Sequence, residues 1–225
     1  MNSASLDTVV QILQWVLNTI FHQCVAVLAC YMIWIPIENY SKPFAWHVIL
    51  CTLGIFPITA EALILFFPSN VWSQEIDRKQ KHWIHAILIS LGMIFEIAGV
   101  SIGIYSKSTN PNAVHFRSAH AILGLLAIIF IVLTVVCGLI SFNSQKFKTW
   151  APSVWLKLGH NILGQTTYIF CVIALCLGLF TNYFSIYTSE SSRIVATVFT
   201  VIIALWSLVC AWISTYHQII AVRTL

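Results

Sequence analysis

Charge is what this sequence has least of. Asp, Glu, Lys and Arg make up 8% of the 225 residues while 59% are apolar, a balance with too little polar surface to cover a soluble globule. Long connectors are missing too. Apolar stretches able to cross a hydrocarbon core of roughly 30 Å as helices run over residues 9–37, 44–67, 81–105, 115–140, 155–180 and 194–220. What lies between them, such as "PSNVWSQEIDRKQ" or "TNYFSIYTSESS", is too short to fold alone. The expectation is an all-α integral membrane protein of six transmembrane helices, one domain over residues 1–225, with its chemistry inside the bundle or at its two mouths.

Other absences narrow the function. No C-x-x-C spacing occurs, and all seven cysteines fall inside predicted spans, which excludes a zinc-finger-type site and a disulfide framework; they read as small packing residues. The basic residues are too few, and too evenly divided between two faces, for nucleic-acid binding. The start "MNSASLD" has no basic region and a long apolar run behind it, so the first span is expected to be retained rather than cleaved. Proline is scarce within spans, Pro57 being the main internal case, and no inverted pair of halves with broken helices is visible, as a secondary transporter would have.

The cations that are present set an orientation. Arg78, Lys79, Lys81, Lys146, Lys148, Lys157 and Arg223 fall on one side, and Lys42, Lys107, Arg117 and Arg193 on the other. By the positive-inside rule both termini are expected in the cytosol, with the "DRKQK" and "QKFK" connectors.

Histidine is what the spans contain against expectation. Of eight histidines, four open the pattern H-x-Ile-Leu: "HVIL" at His47, "HAIL" at His85 and again at His120, and "HNIL" at His160. They fall one per span on spans two to five. An ionisable side chain in lipid is costly and is normally turned inward to a partner. His47 and His120 sit near the starts of spans entering from the non-cytosolic side, His85 and His160 near the starts of spans entering from the cytosol. Two layers of two histidines result. Two imidazoles leave zinc or copper under-coordinated, whereas a haem iron already holds four porphyrin nitrogens and takes two axial ligands. Haem fits best.

Glycine adds a second pattern. Eighteen residues make about five helical turns, so Gly103, Gly138 and Gly178 share a face with His85, His120 and His160 respectively, while His47 has Leu65 there. These glycines are expected to clear space for the porphyrin of the other layer. Gly124 and Gly164, four residues after His120 and His160, suit either close cofactor approach or small-residue helix packing. His22 ends a polar stripe of Gln11, Gln14, Asn18 and His22 and reads as an interhelical hydrogen-bonding residue; His217 reads as structural. Glu61 and Glu96 are intramembrane carboxylates. Glu61 is expected near the cytosolic layer, in a hydrogen-bonding, proton-coupled or interhelical role.

These residues resemble the cytochrome b561 family, in its short six-span branch. The resemblance rests on "FAWHVIL" and "AEALILF" in span two, "RKQKHWIH" opening span three, "HFRSAHAILGL" in span four and "LKLGHNILG" in span five. It implies a central four-helix bundle (spans 2–5, ligand core about 44–180) holding two haems b, with axial pairs His47/His120 and His85/His160. His85 rather than His82 is taken as the ligand because the family has a glycine fourteen residues further on, where His85 has Gly99 and His82 has Glu96. The implied activity is transmembrane electron transfer, an oxidoreductase passing electrons from cytosolic ascorbate to monodehydroascorbate radical or ferric iron. A homodimer in an endomembrane, endoplasmic reticulum or vesicle, is the implied setting. Ascorbate-specific members carry "SLHSW" where this chain has "SAHAI", so the non-cytosolic acceptor stays open. Arg78, Lys81 and Lys157 are the expected cytosolic ascorbate contacts, since a cationic mouth concentrates an anion. Lys107, His115 and Arg117 are the expected contacts for an anionic acceptor or iron chelate on the other side. Two other classes stay open: a haem-binding sensor or scaffold without turnover, and a transporter using the histidines for protons or a metal.

Overall fold

The computed structural model describes residues 3–40, 43–109, 111–112 and 114–224, with the backbone alone for 3–6; Lys42, counted above among the cations, lies outside the described residues. All described regular structure is helical, and six helices are long and apolar enough to cross a membrane: Asp7–Glu38, Phe44–Ile64, Arg78–Ser108, Ala119–Phe142, Ser153–Leu179 and Glu190–Arg223. The protein is an all-α, multi-pass bundle.

Local chemistry sets the ends. Asp77 accepts from the amides of Lys79 and Gln80 to open α4 (Arg78–Ser108). Ser118 accepts from Ala121 to open α5 (Ala119–Phe142), and Ser189 from Ser192 to open the last helix, α8 (Glu190–Arg223). Each side chain satisfies first-turn amides that have no carbonyl partner within the helix. Pro43 and Pro152 precede α2 (Phe44–Leu53) and α6 (Ser153–Leu179), where a missing N–H costs nothing.

Two readings of the sequence need correction. Span two is not one helix to residue 67: α2 passes into a π-helical turn, Gly54–Thr59, and then into a short α3, Ala60–Ile64. Pro57 removes an amide, and Phe56 before it adopts φ −113°, ψ 150°, as the steric restriction on a residue preceding proline favours. Span four begins at Ala119 rather than 115, since the Ser118 cap fixes its start. The connector after α6 contains a helix of its own, α7 (Asn182–Tyr187), whose Phe184 is buried.

In packing, α2 lies along α4, and α5 lies along α6 in the most extensive contact of the fold. These two hairpins meet through α4 and α5, while α1 (Ser3–Glu38) packs on α2 and α8, and α8 packs on α6 and α3. Lipid offers helices little hydrophobic drive to associate, so close approach and interhelical hydrogen bonds hold them. A Cβ at Gly99 would stand 3.2 Å from the Cys51 amide nitrogen, and one at Gly92 3.3 Å from the Gly54 carbonyl oxygen; bare backbone is what lets α4 sit against span two. Between α5 and α6 the Thr134 and Thr167 hydroxyls bond at 2.6 Å, and Gln165 on α6 donates to Thr215 on α8 at 2.6 Å. Gly99→Val is therefore expected to cost about 1–3 kcal/mol by overpacking, lowering the thermal unfolding midpoint of the detergent-purified protein. Ser101→Val, on the exposed side of the same helix, is expected to stay within about 0.5 kcal/mol.

Candidate functional site

The four H-x-Ile-Leu histidines face each other in two pairs. The rings of His47 (α2) and His120 (α5) are 6.0 Å apart between centroids and inclined at 77°; those of His85 (α4) and His160 (α6) are 6.4 Å apart at 87°. Each pair spans the seam between the hairpins. A metal held between two imidazole nitrogens at about 2 Å from each would put the ring centroids about 6 Å apart.

Every one of the four is held by the same bond. Nδ1 of His47 donates to the Gly99 carbonyl at 2.9 Å, His85 to Ala62 at 3.0 Å, His120 to Ala174 at 2.8 Å and His160 to Thr134 at 3.3 Å. A carbonyl oxygen only accepts, so the hydrogen sits on Nδ1 and Nε2 keeps its lone pair, the tautomer a metal ligand needs. The bracing is reciprocal within each hairpin. His47 leans on the helix that carries His85, and His85 on the continuation of the helix that carries His47; His120 and His160 do the same for α6 and α5.

This bracing changes the reading of the glycines. A Cβ at Gly103 would come 2.7 Å from His47 Nδ1, one at Gly138 3.0 Å from His160 Cε1, and one at Gly178 3.2 Å from His120 Cε1. The eighteen-residue glycines thus seat the imidazole of the neighbouring helix, and Gly103 and Gly178 also line the space beside His47 and His120. Gly124 differs: nothing lies within 4 Å of a Cβ built there, and it lines a cavity of about 290 Å³ together with His47, His120, Gly103, Gly178 and Glu96. Glu96 is 6% exposed, and its carboxyl reaches over Gly54, where a Cβ would stand 2.5 Å from Oε1.

The remaining predicted site residues divide. His82 is exposed with its ring 5.3 Å from Phe66, whose other neighbour is His85 at 5.5 Å. Arg78 and Lys157, from α4 and α6, act electrostatically on His82, whereas Lys81 acts on Cys210 of α8. Arg78 and Lys157 thus both bear on His82, and Lys81 bears on α8 as well. On the opposite face Lys107 and His115 line the cavity, and His115 Nε2 lies 3.3 Å from Ser108 Oγ; Arg117 is exposed and does not line it. Among the described residues no group of three or more His, Cys, Asp or Glu is placed to hold a metal ion. Each pair therefore suits a metal that brings its other ligands with it.

The polar stripe of α1 belongs to a second cluster that sequence reading had not assembled. His22 Nδ1 is 2.6 Å from Glu61 Oε1, and Gln14 accepts from Ser69 at 2.9 Å. The four-residue spacing of Gln14, Asn18 and His22, matched to the polar segment after Phe67, was the available signal.

Comparison with known proteins decides the family. A model described as eukaryotic cytochrome b561 matches residues 46–185. The chain belongs to this family. Cytochrome b561 proteins bind haem, and the matched stretch contains all four paired histidines. Transmembrane reductase CYB561D2 of Mus musculus is 28% identical over 145 residues, 64% of each chain, and that of Homo sapiens matches to the same extent. Probable transmembrane reductase CYB561D1 of Mus musculus is 24% identical over 141 residues, 63% of this chain and 61% of its own. The match thus spans less than two thirds of these relatives. No solved structure matches the chain.

Filling a glycine seat should evict a ring. Gly103→Leu is expected to displace His47 and lower the haem-to-protein ratio of the purified cytochrome by pyridine haemochrome assay. Gly159→Ala, where a Cβ meets nothing within 4 Å, is expected to leave the ratio unchanged.

Proposed function

We propose that the protein carries electrons across its membrane through two haems b, one bound by His47 and His120 and the other by His85 and His160. The donor is cytosolic ascorbate and the acceptor, on the far side, is monodehydroascorbate radical or ferric iron. One observation carries this reading: all four imidazoles give Nδ1–H to a backbone carbonyl and stand in pairs 6.0 and 6.4 Å apart, the spacing of two axial ligands across one metal. The names of the relatives, transmembrane reductases, support the same class of activity.

Bound haem supplies reversible one-electron chemistry, while the chain supplies ligands, spacing and access. The carbonyl bonds fix each imidazole's tautomer and direction and strengthen Nε2 as a donor. Spacing comes from the helices. Fourteen residues separate His120 from Thr134, whose carbonyl holds His160, so the two layers lie about 20 Å apart along α5 at the ordinary helical rise.

At the mouth beside His85, Arg78 and Lys157 bear on the exposed His82, and with Lys81 they draw in the ascorbate monoanion. With both termini cytosolic, as the distribution of Lys and Arg favours, this is the donor side. Lys107 and His115, at the cavity holding His47 and His120, receive an anionic acceptor or iron chelate, with Arg117 exposed nearby. An endomembrane is the proposed location.

Purified protein is expected to show two low-spin bis-histidine haems per chain, both reduced by ascorbate. A preparation that binds no haem would sink the proposal, and haem that no reductant reaches would point to a sensor. His85→Ala is expected to abolish one haem's signal while His82→Ala keeps both, and the reverse result would overturn the ligand assignment. Arg78→Gln with Lys157→Gln is expected to raise the ascorbate concentration for half-reduction several-fold at low salt. That difference should shrink as ionic strength rises and the field is screened over about 10 Å.

A further inference from the structure

We infer that His22 on α1 and Glu61 on α3 form a clamp that positions His85 from outside the ligand-bearing helices, acting through the backbone carbonyl of Ala62. The inference rests on the proposal that His85 is an axial haem ligand. Three of the four histidine-holding carbonyls, those of Gly99, Thr134 and Ala174, belong to long unbroken helices. The fourth, Ala62, lies in the five-residue α3, which the turn at Phe56 and Pro57 separates from α2. A helix of one turn and a half does not hold itself in place.

Besides its packing against α8 and α4, α3 is tied in place by side-chain hydrogen bonds. Next to Ala62, both carboxyl oxygens of Glu61 are engaged: Oε1 at 2.6 Å from His22 Nδ1, and Oε2 accepting from Trp72 Nε1 at 2.9 Å. Carbonyls at the open end of α3 are filled as well, Ile64 by Asn70 Nδ2 at 3.1 Å and Leu65 by Ser73 Oγ at 2.8 Å. The other ring nitrogen of His22, Nε2, faces Asn18 Oδ1 at 3.1 Å and Asn70 Oδ1 at 3.2 Å. Both asparagines are fully buried.

Hydrogen counting shows how tightly the pair is tied. Asn70 gives Nδ2–H to Ile64 and takes the Trp72 amide on Oδ1, while Asn18 Oδ1 takes the Val71 amide. These bonds fix which amide atoms are oxygen, so His22 Nε2 meets only acceptors and carries a hydrogen. A second hydrogen lies between Nδ1 and Glu61 Oε1. The pair is net neutral whichever partner holds it, and without it a lone pair would face a carboxylate.

The consequence falls on one haem. A carbonyl accepting from Nδ1 makes an imidazole a stronger ligand, and ligand strength is one of the levers on haem potential. Loosening α3 moves the acceptor of His85 and leaves those of the other three histidines in place. His22 and Glu61 are positioning residues for the His85/His160 haem.

The test uses purified full-length protein with its haems. His22→Ala and Glu61→Leu are each placed in a His120→Ala background, where the remaining signal belongs to the His85/His160 haem, and in a His160→Ala background, where it belongs to the other. The expected result is an upward shift in midpoint potential and a displaced low-spin EPR signal for the His85/His160 haem alone. Glu61→Gln is expected to restore the parent values. Its amide can donate to an unprotonated Nδ1 while its oxygen still accepts from Trp72, which keeps the geometry without the acid. Unchanged potentials, both haems shifting together, or Glu61→Gln shifting as far as Glu61→Leu would each overturn the clamp. Should the double variants not fold, the single variants are read by EPR in the otherwise intact chain, against the same outcomes. Wild-type protein without bis-histidine haem would remove the ligand reading itself; wild-type protein with two such haems and no selective shift would remove only the clamp.

Discussion

Four hydrogen bonds from histidine Nδ1 to backbone carbonyls are the constraint on which the rest of this structure depends. In lipid an imidazole has no water to orient it, so the fold itself must supply an acceptor. The only acceptor that a neighbouring apolar helix offers is its own backbone, and reaching it requires that no side chain intervene. Gly103, Gly138 and Gly178 leave that gap for His47, His160 and His120. The close packing of α2 on α4 and of α5 on α6 is thus also the condition for holding the rings.

Much of this was legible in the sequence. The six spans follow from hydropathy, and the H-x-Ile-Leu repeat with depth groups His47, His85, His120 and His160 into two layers, the choice of His85 over His82 leaning on the family resemblance as well. That the eighteen-residue glycines seat neighbouring imidazoles was not legible, because spacing along one helix says which face a residue shares and nothing about what the facing helix presents there. Span two was misjudged for a different reason. Its hydropathy continues smoothly through Pro57, and only the backbone restriction that proline imposes on Phe56 breaks it.

The break in span two accounts for features that look unrelated. Polar residues on α1, an asparagine and a tryptophan in the following segment, and a carboxylate in the hydrocarbon region meet at α3. A continuous helix would need none of them, and His47 is also the one paired histidine without a glycine eighteen residues on. Irregular backbone at membrane depth persists where protein groups satisfy it, and here those groups come from outside the four ligand helices. The first span is accordingly part of the site's support as well as of the outer wall.

Each hairpin brings one histidine to either layer, and each braces its own rings without help from the other. Neither layer exists until both hairpins stand side by side. Synthesis delivers them one after the other, and the first contains the carbonyl acceptors for its own two rings. Only the arrival of α5 and α6 turns four separately held rings into two sites at once, so that completing the layers and closing the seam between the hairpins are the same event.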